Sequence, residues 1–116
     1  MIDRIQELST DVRRLKAERD ALLKHGFPLP DPDAVPQLRK WRGKYERIES
    51  PQRDGKWTLG KHHISVPSVR DFERAAELRQ KLRNTEKASR LWRELLVKEK
   101  QLEALKSRQQ AVMAFA

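Results

Sequence analysis

The stretch RKWRGKYER, residues 39–47, sets Arg39, Lys40, Arg42, Lys44 and Arg47 around Trp41 and Tyr45. Cationic side chains grip phosphates and aromatic rings stack bases, so this mixture has the chemistry of nucleic-acid binding. Lys56 and Lys61 follow in the next segment. Further on come Arg79, Lys81, Arg83, Lys87, Arg90 and Arg93, with Glu86 the only acid in that interval. Arg outnumbers Lys, fifteen to eleven. The planar guanidinium fork fits phosphate oxygens better than an ammonium does, so the bias points the same way.

Other reactive residue types are sparse. His62 and His63 are adjacent, and neighbouring positions on a strand face opposite ways, so the pair is not expected to hold one metal ion. Asp31 and Asp33 sit in a proline-rich stretch, where capping a helix is the expected role rather than acid–base work. The chain has no Cys, hence no disulfide, thiolate ligand or thiol nucleophile. It has no phosphate-cradling glycine loop, zinc-protease motif or nucleophile elbow. The expectation is a protein without catalysis, metal or cofactor.

The formal charge is +9 over 116 residues, and its distribution is uneven. Residues 1–26 hold six basic and five acidic groups, and residues 94–116 hold four and three. Most of the excess therefore lies in residues 27–93. With 37% charged residues and few aromatics, the composition suits long exposed helices more than a deep core. No apolar run approaches the ~20 residues of a membrane span, and the N-terminus has no signal-peptide pattern. A cytoplasmic protein, not associated with membranes, is expected.

Three segments must position these groups. In residues 1–26, Met1, Ile5, Leu8, Val12, Leu15, Arg19 and Leu22 follow coiled-coil spacing, broken only by Arg19. Gly26 and Pro28 mark the stop, with Gly26 expected in the left-handed position after the helix. Residues 27–67 begin with four prolines in ten residues, an extended connector. A short helix is expected next, capped by Asp33, with Leu38, Trp41, Tyr45 and Ile48 on one face; a strand over residues 44–49 is the alternative. That helical phase assigns Trp41 and Tyr45 to the core. Alternation in residues 56–66 around Gly60-Lys61 predicts a β-hairpin.

Residues 68–116 contain no Gly or Pro, so one helix longer than 40 residues, roughly 60–70 Å, is expected to start at Ser68. Its apolar face moves. Phe72, Ala75, Leu78 and Leu82 lie on one side; the seam Ala88, Leu91, Leu95, Lys98, Leu102, Leu105, Gln109 and Val112 lies nearly opposite. The rear half matches the first helix in length, which predicts antiparallel pairing with Leu22 near Ala88 and Met1 near Val112. The front half must then pack on residues 27–67. The expected fold is mainly α, a single domain: an antiparallel coiled-coil hairpin whose long helix also carries a small basic head. Trp92, Leu96, Val112, Met113 and Phe115 are left with poorly covered outer faces, so a homo-oligomer is expected.

The run DFERAAELRQKLR resembles the second half of the UVR motif of nucleotide-excision-repair subunits and some chaperone-associated proteins, through Asp71, Phe72, Glu73, Ala75, Ala76, Leu78 and Arg79. The match covers about a tenth of the chain. It lacks the motif's preceding helix, and Gln80 stands where an acid is usual. That motif is a helical hairpin that docks partner proteins, so the resemblance implies docking through Phe72, Ala76 and Leu78. Two functions are thus expected. The first is nucleic-acid binding, to DNA, RNA or a nucleoprotein complex, through Arg39, Lys40, Arg42, Lys44, Arg47, Lys56, Lys61, Arg79, Arg83, Lys87 and Arg90. The alternative is a protein-binding adaptor or inhibitor acting through Phe72, Leu78, Trp92 and Leu96.

Overall fold

A computed structural model describes residues 3–41, 45–49, 52–53, 56–57, 62–65 and 69–114. Two helices dominate. Helix α1 spans Arg4–Lys24 and helix α2 spans Val69–Ala114. At about 1.5 Å per residue α2 is roughly 69 Å long, and it sets the 71 Å longest dimension of the molecule. Among the described residues between the helices lie five strands: β1 (Gln37–Trp41), β2 (Tyr45–Glu49), β3 (Gln52–Arg53), β4 (Lys56–Trp57) and β5 (His62–Ser65).

Helix α1 starts where the Asp3 carboxylate accepts the Ile5 backbone N–H at 3.1 Å, satisfying one of the free donors of the first turn. It ends in a tightened turn, with the His25 N–H donating to Leu22 O and the Gly26 N–H to Leu23 O. Gly26 does not adopt the left-handed φ expected for it. Crowding explains the glycine instead. A Cβ there would stand 2.8 Å from Thr85 Oγ1 and 3.2 Å from Leu22 O.

The helices pack antiparallel, as the two seams require. Leu8, Val12 and Leu15 are buried on α1, and Ala88 and Leu95 on α2. Val12 and Leu15 pack with Leu95, Leu91, Trp92 and Leu102, while Leu22 joins the Ala88 cluster. The seam break at Arg19 has a partner: its guanidinium lies 4.7 Å from the Trp92 ring centroid. Lys98 is also resolved within the seam, donating to Asp11 Oδ2 at 2.8 Å. The seam is shorter than expected. Leu102 and Leu105 are half-buried, but Gln109 and Val112 are exposed, Val112 by 71%. The register that joins Leu22 to Ala88 sets Leu105 opposite Ile5, so α2 outruns the described start of α1. Met1 lies outside the described residues.

The proline-rich connector is pinned along α2 by polar residues one turn apart. Thr85 Oγ1 accepts from the Phe27 N–H at 2.8 Å, Ser89 Oγ donates to Pro32 O at 2.6 Å, and Arg93 Nη2 donates to Asp33 Oδ1 at 3.0 Å. Phe27, Leu29, Ala34 and Pro36 are buried beneath it. Asp33 therefore caps no helix. Its N–H donates to Asp31 Oδ1 in a local turn, and Asp31 O accepts from Ala34 N–H.

No short helix follows. Residues 37–41 and 45–49 are antiparallel strands, pairing Leu38 with Ile48, Arg39 with Arg47 and Trp41 with Tyr45. Two aromatics, an isoleucine and a central Gly43 suit a hairpin, and Pro36 ends what precedes it. The second expected hairpin is also rearranged. Strand β5 pairs with β2 to complete a sheet of order β1-β2-β5, and β4 pairs with β3. The turn at Gly60-Lys61 and the cap at Ser68 lie outside the described residues. Ile48 is fully buried with Phe27, Ala75, Leu78 and Leu82. The front half of α2 thus turns its apolar face towards the sheet, as its shifted phase requires.

Candidate nucleic-acid interface

Strand alternation sorts the residues of the sheet onto two faces. Ile48 is buried against α2, and by register Leu38, Lys40, Glu46, His62 and Ile64 share its face. Arg39, Trp41, Tyr45, Arg47, His63 and Ser65 belong to the opposite face. This regroups the aromatics. A helix sets Trp41 and Tyr45 with Leu38 and Ile48; the hairpin sets them with Arg39 and Arg47. His62 and His63 fall on opposite faces. Lys56 lies in β4, and Arg42, Lys44 and Lys61 lie outside the described residues.

On α2, Arg79, Arg83, Lys87 and Arg90 are spaced four, four and three, and so form one stripe about 16 Å long. Its front end adjoins the buried face, since Arg79 is half-buried next to Ala75 and Leu82, whereas Arg83, Lys87 and Arg90 are exposed. Arg83 donates to Gln80 Oε1 at 2.7 Å. Lys87 and Arg90 have no ion-pair partner among the described residues, and with Leu22 and Leu91 they border an open groove between the two helices.

Where α1 ends against α2, a second group of charges gathers. Lys24 and His25 from α1 and its cap, with Arg74, Glu77 and Lys81 from α2, line an open cavity of about 400 Å³. Lys81 Nζ lies 5.6 Å from the Phe27 ring centroid. Two amides close its wall: Asn84 Nδ2 donates to His25 O at 2.9 Å, and Gln80 Nε2 donates to Asn84 Oδ1 at 3.0 Å. The sequence does not group these cations, because Lys24 and Arg74 are fifty positions apart and meet only when α1 packs on α2.

The helical residues expected to meet a protein partner differ in exposure. Leu78 is buried in the core with Phe27 and Ile48, and Trp92 is half-buried beneath Arg19. Leu96 is 45% exposed, Ala76 is exposed, and Phe72 lies in the first turn of α2. No protein-family model matches the chain, and no curated protein or solved structure has significant similarity to it. The UVR-like run lies within the single helix α2, preceded by strand β5 where that motif has its other helix. Among the described residues, no helix is long and apolar enough to cross a membrane.

Proposed function

We propose that the chain is a non-enzymatic nucleic-acid-binding protein that grips phosphates through a basic head carried on the two-helix stalk. The reading rests on one observation: the Arg39–Arg47 pair stands beside the Trp41–Tyr45 pair on the sheet face away from Ile48. Like charges directly opposite each other on paired strands are destabilising. A phosphate between two guanidiniums removes that repulsion, and neighbouring aromatic residues offer stacking surfaces for bases. Lys40, Arg42, Lys44, Lys56 and Lys61 add charge to the head, and Arg79, Arg83, Lys87 and Arg90 extend it along α2. Contacts of this kind are weakly sequence-selective and strongly salt-dependent.

The test is a comparison of equal charge changes. Arg39→Glu with Arg47→Glu should weaken binding of a single-stranded oligonucleotide far more than Lys100→Glu with Lys106→Glu, two exposed positions on the stalk. Screening limits the reach of a charge to ~8 Å at physiological salt, so a general field effect cannot separate the two variants by a large factor. Equal losses sink the proposal. The adaptor reading keeps the exposed Leu96 as a contact, and absence of binding to any DNA or RNA at low salt would leave that reading standing.

A further inference from the structure

We infer that the cavity at the end of α1 is a second anion site, built for a phosphate group carrying several negative charges. It shares no residue with the sheet face and does not depend on it.

Several cations outside the cavity are paired with carboxylates. Along the stalk, Arg4 pairs with Glu7, Arg14 with Asp11 and Glu18, Lys16 with Glu99, and Lys98 with Asp11 and Glu94. Other cations, Lys87 and Arg90 among them, have no such partner among the described residues, but at the cavity three line one concavity. Lys24, Arg74 and Lys81 have no carboxylate at ion-pair distance among the described residues, although Glu77 lines the same cavity. Three like charges around one concavity repel one another, and an anion entering it meets all three at once.

The site is also partly preorganised. Lys81 is held against the Phe27 ring, and Phe27 is fixed by the Thr85 hydroxyl. The chain of hydrogen bonds from Arg83 through the amides of Gln80 and Asn84 to His25 O orients its polar wall across both helices. Each amide nitrogen spends one of its two hydrogens in that chain, leaving a second for a ligand. At about 400 Å³ the open cavity has room for a phosphate or short polyphosphate. The same chemistry comes from free polyphosphate or from the terminal phosphate of a nucleic acid.

Calorimetric titration of the full chain with inorganic triphosphate at low salt tests the site directly. Binding should be seen, and Arg74→Glu with Lys81→Glu should weaken it at least tenfold. Lys100→Glu with Lys106→Glu, an identical charge change, should alter it less than twofold, and helical circular dichroism should match in all three proteins. A second arm compares one oligonucleotide with and without a 5′-phosphate. Preference for the phosphorylated form, abolished by Arg74→Glu with Lys81→Glu, identifies a nucleic-acid end as the ligand; no preference, with triphosphate still bound, identifies free polyphosphate. Absence of triphosphate binding, or equal loss in both double variants, overturns the site. Arg39→Glu with Arg47→Glu should leave triphosphate binding intact, so failure of the sheet reading is seen separately.

Discussion

The backbone N–H of Phe27 donates to the Thr85 hydroxyl at 2.8 Å, joining positions 58 residues apart at the point where α2 exchanges one packing partner for another. The same hydroxyl donates to Lys81 O at 2.8 Å, so both its capacities are used while the residue is fully buried. Thr85→Val keeps the shape and leaves the Phe27 N–H without its acceptor. It should cost about 1–3 kcal/mol in urea unfolding, whereas Thr85→Ser should retain most of the stability. Gly26→Ala should destabilise as well, because its methyl would meet the Thr85 oxygen. A neutral Thr85→Val would mean the connector is held by its apolar residues alone.

The seam makes a graded prediction. Leu15 is buried against Leu95, so Leu15→Ala should cost about 2–5 kcal/mol. Leu15→Asp and Leu102→Asp place charge between the helices and should cost more than the corresponding alanine changes. Arg4→Asp removes only an exposed pair with Glu7 and should stay within ~0.5 kcal/mol. Chemical denaturation of the five variants, Leu102→Ala included, checks the order.

Acid should act through Asp11. The hydrogen bond from Lys98 holds its carboxyl below the usual aspartate range, assisted by the charges of Lys98, Arg14 and Arg4 against some desolvation. A carboxyl whose folded pKa is depressed contributes stability that is present above its unfolded pKa and lost as pH falls through the lower, folded value. Stability should therefore decline below about pH 3.8 in the native chain. Lys98→Met should flatten that part of the profile, since it removes the main cause of the shift. Identical profiles for the two proteins would count against the pair.

Stacking and charge can be separated at the sheet. Trp41→Ala should lower affinity for single-stranded oligonucleotide by about 1–3 kcal/mol and leave the salt slope unchanged. Arg39→Gln should instead reduce that slope by roughly 0.7 units, the share of one single-strand phosphate contact. Loss of stability without loss of affinity in Trp41→Ala would return Trp41 to the core.

Much of the stalk is legible in the sequence because heptad spacing, a Gly-Phe-Pro stop and the shift of apolar phase within α2 each have one physical reading. The sheet is not, and residues 38, 41, 45 and 48 show why. Their three-four-three spacing fits one face of a helix. It is also symmetric about Gly43, so in a hairpin centred there the same residues become the partners Leu38–Ile48 and Trp41–Tyr45. Periodicity cannot separate the two, and the choice is made by β-propensity and by β5, a third strand more than ten residues away. That distant pairing decides which residues keep company with Trp41. The cavity at Lys24, Arg74 and Lys81 was hidden for a related reason, since it exists only once α1 ends partway along α2.

One unbroken rod carries both the surface that Ile48 covers and the seam that Leu95 fills. Sheet and stalk are therefore indexed to each other like two cams on one shaft. Adding a single residue between Ser89 and Leu95 would rotate everything beyond it by about 100° and advance it by about 1.5 Å. Seven added residues would return the seam to within about 20° of its old azimuth while lengthening the rod. The spacing between the two ends can thus change in heptad steps only if α1 gains a matching heptad, and the angle between them is locked by residue count.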